Sequence, residues 1–474
     1  MKRPSLLLSF TPFIILIAII SFGVRMFGDE ITAGPSQIAL LFSAIVSSLI
    51  AMYYLKVPWE KIEEGMMDNL SKTGSAIFIL LMIGALTGSW MMSGIVPTMI
   101  YYGLKLIHPS VFLLTIFILT GCVSLMVGSS WTTIGTVGVA MLTAGQIMGY
   151  STPLLAGAII SGAYFGDKIS PLSDTTNLAA SIAGVELYKH VKYMLYTTVP
   201  AIIITAVIFG IIGIFSEVSA SSNIDLHIGA LNSTFLISPW LLLVPAATIY
   251  MIVKKMPPVV TLFLSALAGA VVACIFQPEV CSQINQNQTG WFSGSLFSSL
   301  RMLSGEVGLN TGDALLDSLT STSGMAGMLN TVWLILCVVV FGGVMQASGM
   351  IQVITEKLVS MIRSTVSLVS ATVGACIFVN LTLSDQYMGI LIPGKMFSET
   401  YNKKGLRPEL LSRTLEDGST VTSVLIPWNT CGIVQSSVLN VATLAYLPYC
   451  FFNLMTPIIT IIIAAIGYKI EKKN

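Results

Sequence analysis

The chain of 474 residues is 54% hydrophobic and only 9% charged, with a formal net charge of +1 and a mean hydropathy of +0.86. Soluble domains carry roughly a quarter charged residues, so this chain cannot cover a water-facing surface and is expected to sit in a lipid bilayer. The balanced charge gives no support for a nucleic-acid partner. Three His and seven scattered Cys, without H-E-x-x-H or C-x-x-C spacing, argue against a zinc site.

Apolar stretches near the ~20 residues a spanning helix needs place membrane segments at about 9–28, 36–55, 74–96, 109–127, 152–166, 191–215, 237–253, 257–277, 330–349, 365–382, 408–426 and 446–468. The first follows a basic start and lacks a small-x-small cleavage pattern, so it is expected to be retained rather than removed as a signal peptide. Residues 1–35 then hold an N-terminal transmembrane helix, 36–215 a first half, 216–256 a connecting segment with one helix, and 257–474 a second half. Residues 278–328 are polar and predict the one long loop, in which Asn287-Gln288-Thr289 forms a glycosylation pattern that a bacterial protein would leave unused. Lys2, Arg3, Lys56, Lys61, Lys72, Lys189, Lys192, Lys254, Lys255, Lys469, Lys472 and Lys473 mark one side. The positive-inside rule makes that side, and both termini, cytoplasmic.

The two halves resemble one another. ILLMIGALTGSWMMSGI (79–95) matches LILCVVVFGGVMQASGM (334–350). Each half then has a polar break, VGSSWTTIGT (127–136) against TLSDQYMGILIPG (382–394), and a second one, GDKISPLSDTTN (166–177) against EDGSTVTSVLIPWNTCG (416–432). The charge rule sends 74–96 out of the cytoplasm and 330–349 back into it, which is the mark of an inverted-topology repeat. The predicted fold is therefore an all-α integral membrane protein with about 10–14 transmembrane helices in two inverted repeats, with broken helices and re-entrant hairpins.

The break at Gly166 to Thr176 carries the chemistry. A charge at the bilayer centre costs roughly 2.5–3.5 kcal/mol on insertion scales, so an ion there points to function. Asp167, Lys168 and Asp174 stand between apolar flanks, and Pro171 with Gly166 argues against a continuous helix. Irregular backbone at membrane depth must face protein or a watery cavity. Ser170, Ser173, Thr175 and Asn177 add neutral oxygens, a ligand set suited to Na+, and Asp167 and Asp174 are candidate ion ligands or proton carriers. In the second half, Asp417 stands where Asp167 does, with Thr420, Asn429 and Thr430 beside it; pairing of Asp417 with Arg413 is the bland alternative. Glu416 is weighed as a helix cap, and Glu186, Lys189, His190 and Lys192 as an interfacial segment. Ser130, Thr133 and Asp385 are candidates in the hairpin tips. A Na+ site at Asp174, Ser173, Thr175 and Asp167 is the working hypothesis. Walker, G-x-G-x-x-G and G-x-S-x-G motifs are absent, which favours a gradient-driven transporter over an enzyme or a channel.

GDKISPLSDTTNLAAS and LEDGSTVTSVLIPWNTCG resemble the two signature segments of the NhaC-type sodium/proton antiporter family, within the ion-transporter superfamily. The resemblance spans about residues 10–468. It implies a secondary active exchanger of Na+ for H+ in a bacterial plasma membrane, with no cofactor, and with Ser173-Asp174-Thr175 and Asn429-Thr430 at the ion-holding tips. Similar proteins couple Na+ to organic acids such as malate and lactate, or to other small metabolites. A small organic anion is thus the alternative partner, for which Lys168 is the one cation within a break. A homodimer is in keeping with transporter habit.

Overall fold

A computed structural model describes residues 3–27, 34–216, 222–285, 290–309, 317, 320–360 and 362–470. The Asn287-Gln288-Thr289 pattern and Lys2, Lys472 and Lys473 lie outside the described residues. Those residues are helical apart from turns and one isolated antiparallel bridge, Val307 to Thr322. Eight helices among them are long and apolar enough to cross a membrane, or up to 10 if each sharply bent pair counts as one span. Their outer faces are apolar: Ile203, Val207, Ile211 and Ile214 on the Leu187–Phe215 helix are all exposed. This spacing puts them on one stripe, which in a multi-pass protein faces lipid.

The Thr152–Ile169 helix is wrapped by protein, being buried from Leu154 to Lys168. It lies almost backbone to backbone on the Phe112–Val127 helix. A Cβ on Gly162 would fall 2.3 Å from the Phe117 carbonyl oxygen, and one on Gly166 2.2 Å from that of Gly121. Ser124 Oγ donates to Ala163 O across this contact at 2.6 Å. Small residues permit such an approach in membranes, where water supplies no drive between helices. Gly166 thus serves close packing, and the helix runs unbroken through Asp167 and Lys168 to Ile169. The expected break shrinks to Ser170–Ser173, with Pro171 inside it.

Two stretches of the chain, within 112–183 and 365–439, each run through successive helices joined by turns. In the first, the Phe112–Val127 helix turns at Gly128, in the left-handed region (φ +69°), into the short Ser130–Thr133 helix and onward to Val139–Ile147. Then come Thr152–Ile169, a turn, and Asp174–Ala183. In the second, Thr365–Thr382 turns through Ser384 (φ +57°) into Gln386–Lys403. The Pro408–Gly418 helix then kinks at Ser419, continues as Thr420–Ser423, and turns into Thr430–Leu439. Side chains cap three of the restarting helices. Ser129 accepts from Thr132 N, Asp385 from Met388 N, and Asn429 from Cys431 N.

Two stretches differ from the sequence reading. The connecting segment holds two helices, Ser222–Thr234 and Leu243–Val253, with an 85° bend between Ile224–Thr234 and Pro239–Val253. Gln277 holds the bend by accepting from Leu236 N and donating to Leu236 O. The region expected as a polar loop contains the Trp291–Ser304 helix. Its Met302 carbonyl would meet a Cβ on Gly88 at 2.1 Å, so this helix packs tightly on the Trp59–Met92 span.

Candidate functional site

The two second breaks meet. Lys168, on the last turn of Thr152–Ile169, forms an ion pair with Asp417 at 2.5 Å, both side chains fully buried. Asp417 also accepts from the Thr460 hydroxyl. Thr175, at the start of Asp174–Ala183, donates its hydroxyl to Glu416 Oε1 at 2.9 Å, and Ser173 Oγ lies 3.1 Å from Thr175 Oγ1. These contacts join residues 249 and 241 positions apart, since 417 − 168 = 249 and 416 − 175 = 241. Desolvating an ion costs several kcal/mol, so the pair holds only because each charge has the other.

Asp167 points to the first hairpin. Its Oδ2 accepts from Ser130 N at 3.0 Å and from Ser130 Oγ at 2.7 Å. The carboxylate thereby satisfies a free N–H at the start of a helix, where negative charge is favoured. Ser170 donates to Leu125 O at 2.8 Å and ties the same turn to the end of Phe112–Val127.

A cavity of 630 Å³ lies beside these contacts. Asp167, Asp174 and Asp385 line it with Ser129, Thr132, Ser173, Thr175 and Thr430, and exposed Lys72 and Lys255 stand at its rim. Asp174 is exposed there, and Asp385 is half-buried. The remaining candidates do local work. Thr133 donates to Ser129 O within its own helix, and Asn177 donates to Pro171 O and Ser173 O to close the turn. Asn429 braces the second half by donating to Asn380 O, and Thr430 N donates to Ser384 O. Thr420 is buried beside Glu416. Among the described residues no group of three or more His, Cys, Asp or Glu is poised for a metal.

Residues 162–468, which contain both second breaks, match the model of the Na+/H+ antiporter family. The chain belongs to that family. It is 35% identical over 440 residues to the Na+/H+ antiporter NhaC of Alkalihalophilus pseudofirmus, covering 93% of this chain and 91% of that one. To NhaC of Bacillus subtilis it is 35% identical over 429 residues, covering 90% and 91%. It is also 34% identical over 424 residues to the malate-2H+/Na+-lactate antiporter of Bacillus subtilis, covering 88% and 86%. The protein is accordingly an NhaC-type antiporter, a multi-pass transporter and not an enzyme.

In this antiporter the structure corrects one pairing. Arg413, the bland partner for Asp417, is fully buried with its guanidinium 4.8 Å from the Tyr193 ring centroid, and its three nitrogens make no hydrogen bond. Asp417 turns to Lys168 instead. Glu416, weighed as a surface cap, is fully buried. His190 leaves the expected interfacial group and shares a 2.8 Å hydrogen bond with Ser412 Oγ, while Glu186 and Lys189 stay outside as an exposed pair at 3.1 Å. A signal for the missed Arg413 and Glu416 was present: with the expected Asp417 and Thr420 they stand at i, i+3, i+4 and i+7, one helix face.

Proposed function

We propose that this antiporter exchanges Na+ for H+ across a bacterial plasma membrane, with the ions bound where the two second breaks meet. The carrying observation is the cavity lined by Asp167, Asp174 and Asp385 together with Ser173 and Thr175, the last of which donates its hydroxyl to the buried Glu416. Asp174, Ser173, Thr175 and Asp167 form the entry ligands for Na+. The two sets of elements are inverted repeats, the first from 36 to 215 and the second from 257 to 474. The breaks lie near the midplane, and both termini are cytoplasmic, as the placement of Lys and Arg supports.

The 630 Å³ cavity also supports a second reading, in which Na+ is coupled to a small organic anion. Ligand pockets span about 300–1,000 Å³, more room than a bare ion takes, and a relative bears the name malate-2H+/Na+-lactate antiporter. Proteoliposomes with a pH dye inside separate the two. A Na+ pulse outside, with no organic solute present, is expected to alkalinise the interior. No response until malate, lactate or an amino acid is added overturns simple Na+/H+ exchange in favour of the second reading.

A further inference from the structure

We propose that Cys274 and Cys281 form a disulfide site at the outer end of the Pro258–Phe276 span, closed by an oxidant that is itself a disulfide. The inference goes beyond the exchange reading and does not depend on which solute is carried.

The two sulfurs meet because the chain turns between them. Cys274 lies on the last turn of Pro258–Phe276, and Cys281 on the short Pro278–Ile284 helix that follows. Pro278 keeps Gln277 out of the helical region (φ −125°, ψ 56°) and starts the second helix. The corner brings Cys281 Sγ to 4.0 Å from Cys274 Sγ. Bonded sulfurs are about 2.05 Å apart, so closure needs an approach of about 2 Å, which side-chain rotation supplies. The Trp291–Ser304 helix pins both partners. Cys274 Sγ lies 3.3 Å from Ser299 Oγ and 3.5 Å from Ser295 O, and Ser298 Oγ donates to Cys281 O at 3.0 Å.

Access and compartment agree. Cys274 is half-buried and Cys281 is buried, so a reagent meets Cys274 first and Cys281 is placed to resolve. Lys254 and Lys255 precede the start of this span, whereas 216–236 and 278–328 hold between them only Arg301. The positive-inside rule puts the cysteine end outside the cytoplasm, where disulfides form and persist. The corner also joins other elements. The Gln277 side chain accepts from Leu236 N and donates to Leu236 O and to Ser93 O. A bond across the corner fixes the residue that holds the bent Ile224–Val253 pair against the end of Trp59–Met92.

The Cys274 thiolate attacks one sulfur of the oxidant's disulfide, which breaks, releases one thiolate and leaves a mixed disulfide. The Cys281 thiolate then attacks Cys274 Sγ and displaces the other. The oxidant gains two electrons and, with the two protons the cysteines lose, leaves as two thiols.

The test uses the full chain in membranes, with oxidised glutathione as the probe, alkylation by N-ethylmaleimide, and peptide mass spectrometry after chymotryptic cleavage at Phe276, which separates the two cysteines. Their peptides are expected to be linked and to take the label only after reduction. Label on both sulfurs without reduction overturns the proposal, and so does a lasting glutathione adduct on Cys274 with Cys281 free. Reduction is expected to lower the Tm of the oxidised protein by about 2–5 °C, since the ring closed is short. Cys274→Ser and Cys281→Ser, made separately, are expected to lose that difference; an equal shift in both variants overturns the stapling. Should either variant fail to fold, the peptide map of the wild type decides alone.

Discussion

Replacing Lys168 by Met is expected to abolish exchange and to destabilise the detergent-solubilised protein by about 3–5 kcal/mol, the cost of leaving one member of a buried ion pair alone. The size follows from the absence of any outlet. Both side chains are fully buried, so Asp417 could not reach water once its partner is gone, and the Thr460 hydroxyl is a weak substitute for a full charge. The double variant Lys168→Met, Asp417→Leu removes both charges and is expected to regain most of the stability, because apolar replacement of a whole buried pair is often neutral or better. Transport is expected to stay lost in it. Thermal unfolding and proteoliposome exchange measured on the same preparations separate the two contributions; recovery of exchange in the double variant would remove the pair from the mechanism.

Asp167→Ala carries the second large effect. It strips two hydrogen bonds from Ser130, one of them to an N–H at a helix start, for which about 1–3 kcal/mol is the usual cost of an unsatisfied buried group. It also removes a negative charge from the cavity wall. Exchange is expected to fall by about 100-fold or more, on the scale seen when groups around a metal are changed. Asp167→Asn, whose carbonyl can still accept from Ser130, is expected to recover stability without recovering exchange. Full exchange in Asp167→Asn would reduce Asp167 to a cap.

The position of the breaks was legible in the sequence because insertion into lipid makes polar residues conspicuous. Asp167, Lys168 and Asp174 stand out against AIISGAYF on one side and LAASIAGV on the other. Pro171 marked the turn correctly. Gly166 misled, since the same absence of a Cβ that loosens a helix also lets it touch a neighbour, and here the second effect governs. Pairing was not legible. Asp417 has Arg413 one turn away in its own helix, yet its partner is Lys168 in the other half. Local periodicity says which residues share a face and nothing about which helix lies opposite. Glu416 and His190 were missed for the same reason: charged residues are almost never fully buried unless paired, and their burial depends on helices packed around them from distant sequence. The Trp291–Ser304 helix escaped because a mixed run of Ser, Gly and aromatic residues has no clear membrane signal, although its Gly294 and Ser298 are buried against neighbouring helices.

The central claim is that Na+ binds where the two second breaks meet, and Na+-dependent thermal stability tests it most directly. A ligand bound only by the folded state stabilises by about 2.7 kcal/mol at a hundred times its Kd. Purified wild type is therefore expected to melt at rising temperature as NaCl replaces choline chloride at constant ionic strength, and Asp167→Asn and Asp174→Asn are expected to show no such rise. An equal Na+-dependent rise in the wild type and in both variants would place the ion elsewhere in the protein and contradict the account.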